Sequence, residues 1–304
     1  MPCAPEAAGP GGVVAVTLDD LPSLVLDAGR GLCETSSPRA CSALSEELLR
    51  VLADREIPAA VFVNSGLMAG MEDLLQRWHC VGVELGNHTA THFGVDRGSL
   101  DRWCEEVTLC EDALRDITGR APAFFRYPYL RYGVDPRRRR AAARFLEHRG
   151  YTVAHISAPT ADWLLAMHYR GALEAGDELL AEGLRQAFVH HVVSTLEAAA
   201  AVAHRCLGRD VCQILGLHVH RLAADGLGAV LDRLRRRGYR FISLRRALDD
   251  PVYRDPEVMR RHVRGSWLLG LEACRLGPEG PREDWFRLEE VRLLRRFGSP
   301  LPLG

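Results

Sequence analysis

Seven short runs rich in β-branched and aromatic residues recur along the chain with helix-like segments between them, and this alternation constrains the fold more than any other feature. The runs are Val13–Asp20, Ala59–Ser65, Val81–Asn87, Ala123–Tyr129, Tyr151–Ser157, Cys212–His218 and Arg240–Leu244. Their length and composition are those of buried strands. The first is followed by a loop through Gly31–Pro38. Helical spacing is clearest in Cys41–Arg55, where leucines stand at 44, 48, 49 and 52. A second helix holds Leu74–Trp78, a third runs over Leu100–Thr118 to Gly119, and a fourth over Pro136–Arg149. The alanine- and leucine-rich stretch Asp177–Leu207 reads as one or two long helices, and Ala223–Arg237 as another. Strands separated by helices pair in parallel through right-handed crossovers, and seven such units are enough to curl into an α/β barrel. Beyond Asp250 the pattern changes to short segments broken by proline and glycine, with Trp267, Leu268 and Leu271 as apolar anchors. The expected division is therefore a barrel over residues 1–250 and a C-terminal extension over 251–304 packed on it.

Composition narrows the functional classes. A 304-residue chain that is 47% hydrophobic and 26% charged suits one large globular domain or two ordinary ones. Net charge is −1, so the arginine clusters Arg137–Arg140 and Arg235–Arg237 read as solvated helix faces rather than a nucleic-acid footprint. All 39 basic residues are arginine, which excludes Schiff-base chemistry, a P-loop lysine and a Ser-Lys dyad. The nine cysteines are odd in number and form no C-x-x-C pair, which argues against a zinc ribbon or a complete disulfide framework. The start, MPCAPEAAGPGG, carries no charged-then-apolar leader, and no apolar run approaches the roughly 20 residues of a membrane span. As written the chain reads as cytoplasmic, and as secreted or periplasmic if the true N-terminus is longer.

Chemistry-bearing residues collect at strand ends. Val13–Asp20 closes on two carboxylates, Asp19 and Asp20. On an extended strand these point to opposite sides, which predicts different jobs for them. The run ending at Asn87 is followed at once by His88-Thr89-Ala90-Thr91-His92; on a helical turn, histidines four apart would present both rings on one face, as two metal ligands from one segment must. Thr89 stands where a metalloprotease carries glutamate, so that class fails. Two histidines and one carboxylate also describe non-haem iron oxygenase sites.

Five motifs in chain order resemble the polysaccharide deacetylase (NodB-homology) family: Thr17-Leu18-Asp19-Asp20, the histidine pair His88 and His92, Arg126-Tyr127-Pro128-Tyr129, the loop pair Asp162-Trp163, and His218 at the end of a leucine-rich strand. The resemblance runs to about Leu248. It implies a distorted (β/α) barrel and a metal-dependent hydrolase that removes N-acetyl or O-acetyl groups from amino-sugar polymers such as chitin or peptidoglycan. A divalent metal, zinc first with cobalt, manganese or nickel as alternatives, would be held by Asp20, His88 and His92. Asp19 would be the base, held ionised by Arg126. The backbone N–H of Tyr129 would contact the oxyanion, and His218, paired with Asp162, would protonate the amine. The partner so implied is an acetylated glycan, with no nucleic acid. A small non-sugar amide substrate and a catalytically weak carbohydrate-binding relative are the alternatives.

The chain also departs from the family. Leu18 replaces the usual aromatic, the loop before Asp162 is less polar, and Gly216 stands where a leucine generally packs against the acetyl methyl. That glycine predicts a void tolerant of longer acyl groups, unless a neighbour such as His220 or Trp163 fills it. His220, two residues beyond His218 on the same face, reads as a rim histidine and the rival for the acid role.

Overall fold

The run Val13–Leu21 (β1) is buried from Val14 onward on both faces, as a central strand of a parallel sheet must be, and this explains its near-continuous apolar sequence. The computed structural model describes residues 11–27, 32–35, 37–276 and 285–298. Around β1 run Ala60–Val63 (β2), Glu84–Asn87 (β3), Phe124–Phe125 (β4), Thr152–Val153 (β5), Ala158–Pro159 (β6), Cys212–His218 (β7) and Arg240–Phe241 (β8). All pair in parallel, seven of them in the order β5-β4-β3-β2-β1-β7-β6, while β8 pairs the start of β1. This is the distorted (β/α) barrel expected: a strongly curved parallel sheet wrapped by helices.

The helices sit on the outside. They are α1 (Pro38–Ala53), α2 (Glu72–Cys80), α3 (Leu100–Thr118), α4 (Pro136–His148), α5 (Asp162–Ala175), α6 (Glu178–Leu207) and α7 (Arg221–Arg236). The alanine-rich stretch forms a single helix, α6, and Asp177 caps its start by accepting from Leu180 N–H at 2.9 Å. Four shorter helices follow: α8 (Leu244–Leu248), α9 (Pro256–Arg261), α10 (Trp267–Leu276) and α11 (Trp285–Phe297).

Two expected strands are shorter than their sequences suggest. Tyr151–Ser157 is not one strand. Ala154 N–H donates to Phe125 O on one side of the opening, Ser157 N–H to Ile214 O on the other, so the chain crosses between the sheet's two edges here. Arg240–Leu244 stops at Phe241, because Ser243 already caps α8 by accepting from Arg246 N–H. The loop after β1 adds an antiparallel pair, Val25–Asp27 with Leu32–Cys33.

The opening between β5 and β6 is covered from the C-terminal side. Trp267 N–H donates to Ile156 O at 2.8 Å, its indole N–H to Val252 O at 2.7 Å, and its ring stacks on His155 at 3.7 Å between centroids. Trp267, Leu268 and Leu271 are all buried, as their role as anchors requires. Burying such side chains contributes about 1.5–3 kcal/mol each. Among the described residues no helix is long and apolar enough to cross a membrane. The seven described cysteines are free thiols.

Candidate active site

Every site residue read from the sequence stands at the carboxyl ends of the strands or on the turns that follow them, and the first surprise is at β1. Its pairing with β2 shifts register between Leu18 and Leu21, and Asp20 takes a left-handed backbone with φ of 65°. A bulge with a left-handed residue re-aims side chains. Asp19 and Asp20 therefore both face one cavity, not opposite sides of the sheet as an ideal strand predicts. Asp20 is held in this posture by Val25 N–H, which donates to its Oδ2 at 3.0 Å.

The histidine pair converges without a helix. Thr89 and His92 both have positive φ, 66° and 57°, so the segment is a tight left-handed turn. Buried polar neighbours determine this turn. Asn64 donates to the carbonyls of His88 and Thr89, Asn87 Oδ1 accepts from Thr89 N–H, and Glu106 Oε2 accepts from both the N–H and the hydroxyl of Thr91. His88 Nδ1 lies 2.9 Å from Arg126 O. A carbonyl can only accept, so Nδ1 carries the proton and Nε2 keeps its lone pair. Nε2 of His88 and Nε2 of His92 each lie 3.5 Å from Asp20 Oδ1. Burial, then the neighbouring His92, pushes His88 down to about 3, and burial likewise lowers His92. Both rings are thus neutral, the form that binds a metal.

These three residues fit a divalent cation on their own geometry. Their ligand atoms lie within 4.8 Å of one another, and Asp20 Oδ1 is buried with no hydrogen-bond partner. A buried carboxylate oxygen left bare at the focus of two imidazole lone pairs costs free energy unless a cation satisfies it.

Asp19 is fastened from below. Arg126, fully buried at the end of β4, donates from Nη1 to Asp19 Oδ1 and to Thr17 Oγ1, both at 2.7 Å, and from Nε to Ala154 O at 3.1 Å. Its guanidinium lies 4.0 Å from the centre of the Phe62 ring. Tyr129 sits on a left-handed turn, half exposed, with its ring 4.3 Å from that of His92.

Across the cavity stands His218. Its Nδ1 lies 2.7 Å from Asp162 Oδ1, and its backbone N–H donates to Asp162 Oδ2 at 2.8 Å, leaving Nε2 for the cavity. Burial alone would lower its pKa, but the Asp162 carboxylate outweighs that and raises it to about 9. Burial pushes Asp162 the other way, and the charge of His218 together with the hydrogen bonds from His218 and His220 more than reverses it, so its carboxyl stays well below the usual range. Asp162 itself opens α5 rather than lying in a loop.

Sequence reasoning missed two residues here. His220 is not at the rim: it is fully buried, its Nε2 lies 2.9 Å from Asp162 Oδ2, and its Nδ1 accepts from Ala223 N–H as the cap of α7. An acceptor at Nδ1 places the proton on Nε2, so His220 is a second donor to Asp162 and does not reach the cavity. Ile156 is the other. A Cβ on Gly216 would overlap Ile156 Cδ1, so the space that the glycine vacates is already filled, and the expected void does not exist. The signals were a histidine spaced two from His218 and an isoleucine in an apolar run, neither distinguishable from packing without the fold.

A curved parallel (β/α) sheet thus gathers an Asp/His/His cluster able to hold a metal, a buried Arg-held carboxylate and an Asp-held histidine around one cavity. Residues 6–150 match the polysaccharide deacetylase family model. Over 118 residues the chain is 30% identical to a chitooligosaccharide deacetylase of Bradyrhizobium sp., covering 38% of this chain and 51% of that protein. Over 124 residues it is 30% identical to a chitin deacetylase of Colletotrichum lindemuthianum, covering 39% of this chain and 42% of that protein. The fold resembles that of the polysaccharide deacetylase Bc1974 of Bacillus cereus, with a TM-score of 0.54 at 18% identity, over 76% of this chain and 91% of the other. Residues 6–150 thus resemble the polysaccharide deacetylase family, and the chain spans about half the length or less of the curated relatives it matches.

Proposed function

We propose that the chain is a metal-dependent deacetylase that hydrolyses N-acetyl (or O-acetyl) groups on an amino-sugar polymer or oligosaccharide, with its catalytic barrel in residues 1–250 and an extension in 251–304. The observation that carries this reading is the opposition of two prepared groups across one cavity: Asp19 clamped by Arg126, and His218 clamped by Asp162, on either side of Asp20, His88 and His92. When bound by those three residues, a divalent metal, zinc in this proposal, supplies polarisation of the acetyl carbonyl and acidifies a nearby water. Asp19 takes the proton of the attacking water, and Arg126 keeps that carboxylate ionised and aimed. As the C–N bond breaks, His218 gives the nitrogen its proton from Nε2, while Asp162 holds the ring by Nδ1. The backbone N–H of Tyr129 contacts the developing oxyanion. Acetate and a free amine result.

The cavity, about 1020 Å³, is far larger than an acetamide and supports a sugar substrate over a small amide. The test is release of acetate by the zinc-loaded chain from chitooligosaccharides, peptidoglycan fragments and simple acetamides. Release from a glycan, abolished by chelation and by Asp19→Asn while Asp19→Asn keeps stoichiometric metal, supports the reading. Full metal content in the His88→Ala, His92→Ala double variant refutes the ligand set, and release from acetamides alone refutes the substrate class.

A further inference from the structure

The cavity reaches well past the metal-binding cluster, and its far wall is built by residues between Arg261 and Cys274 and by α11. Charge on that wall is one-sided. Arg131, Arg261, Arg264 and Arg287 line the cavity there, and apart from Asp19 and Asp20 the one acidic lining residue among the described residues is Glu290. Arg261 pairs with Glu257 at 3.4 Å.

Arg131 and Arg264 are placed differently. They face each other across an isolated antiparallel bridge, flanked by Tyr132 N–H donating to Val263 O at 2.8 Å and Gly265 N–H donating to Leu130 O at 2.9 Å. Bonds on the flanking residues make this the pair without hydrogen bonds of its own, where Cα atoms are about 4.5 Å apart and the side chains leave the same face. Like charges directly opposite in that position destabilise a strand pair. Neither guanidinium has a carboxylate partner among the described residues. Arg131 instead lies over the Tyr129 ring, its Cζ 5.8 Å from the centroid, and that ring is the one packed on His92. A single aromatic ring thus separates Arg131 from the metal-binding cluster.

We infer that Arg131 and Arg264 form an anion-binding subsite, so that the substrate is an N-acetylated amino sugar carrying a carboxylate or phosphoryl group within about one sugar unit of the acetyl group. The inference rests on the deacetylase reading and adds the substrate's charge to it. An anion between the two guanidinium groups replaces their repulsion with two charge-assisted hydrogen bonds, and arginine's planar fork suits either anion.

The test uses matched pairs on the zinc-loaded chain: N-acetylglucosamine against N-acetylmuramic acid, N,N′-diacetylchitobiose against its aldonic acid, and N-acetylglucosamine against its phosphate ester at the primary hydroxyl. The expected result is a kcat/KM advantage of about tenfold for the acidic member of at least one pair, the order of one charge-assisted hydrogen bond. The pairs that show it separate carboxylate from phosphate. The advantage should shrink as salt is raised, since both arginines are exposed, and the ratio should fall toward one in Arg131→Gln, Arg264→Gln. Equal rates within all three pairs, or an unchanged ratio in the variant, overturn the subsite while leaving the deacetylase reading intact. Should no sugar release acetate, that reading fails instead, and calorimetric binding of the same pairs to wild type and variant decides the subsite alone.

Discussion

Replacing Arg126 by methionine isolates the buried ion pair at the centre of the site. The guanidinium is wholly inaccessible and the Asp19 side chain is 6% exposed, so the carboxylate that remains loses its cation and keeps only its cavity side open. Removing one partner of such a pair costs about 3–5 kcal/mol, most of it the uncompensated charge. Methionine occupies much of the same volume and can still pack on Phe62, which keeps the packing loss small. Thr17 still donates to Leu215 O at 2.6 Å, so it stays satisfied, whereas Ala154 O loses its donor. Against a total stability of about 5–15 kcal/mol, the expected loss is about a fifth or more. Adding Asp19→Asn should recover at least about 2 kcal/mol, because a neutral amide removes the stranded charge. Activity is uninformative, since both variants are expected to be inactive. Urea unfolding of the metal-free wild type, the two single variants and the double variant measures the cycle. If Arg126→Met lies within about 1 kcal/mol of wild type, or if Asp19→Asn gives no rescue, the ion pair does not organise the site as argued here.

Two further outcomes follow from the same geometry. His218 has its pKa raised to about 9 by Asp162, above the value of about 6.5 in an unfolded chain. Its stabilising contribution is therefore complete below about pH 6.5 and lost as pH rises through about 9, and deacetylation should decline over that upper limb. His218→Gln should remove this pH dependence of stability and cost roughly 10²–10⁴ in rate; a decline already complete near pH 7 would exclude the pairing with Asp162. Gly216→Leu should destabilise by about 1–3 kcal/mol through overlap with Ile156, and Ile156→Ala in that background should restore stability. Thermal melts read both, and a neutral Gly216→Leu would show that Ile156 does not fill the site.

Much of the molecule was legible along the chain. Strand and helix periods are local properties, so the βα alternation, the parallel sheet and the placing of Asp19, Asp20, His88 and His92 at strand ends could be read without a fold, while Arg126, Asp162 and His218 were legible through the resemblance of five ordered motifs to a known family. Local periodicity assumes ideal backbones, however, and the site is built where the backbone is not ideal. The bulge and left-handed Asp20 turn two carboxylates into one cavity, and a left-handed turn braced by Asn64, Asn87 and Glu106 brings two histidines together where a helix was expected. The rest depends on contacts between distant segments. Ile156 fills the space left by Gly216, His220 reaches Asp162 from the cap of α7, and the bridge that sets Arg131 against Arg264 joins the turn after β4 to the loop before α10. Which side chain occupies a gap, and which charge meets which, is decided by close packing among elements far apart in sequence, and only the tertiary structure holds that information.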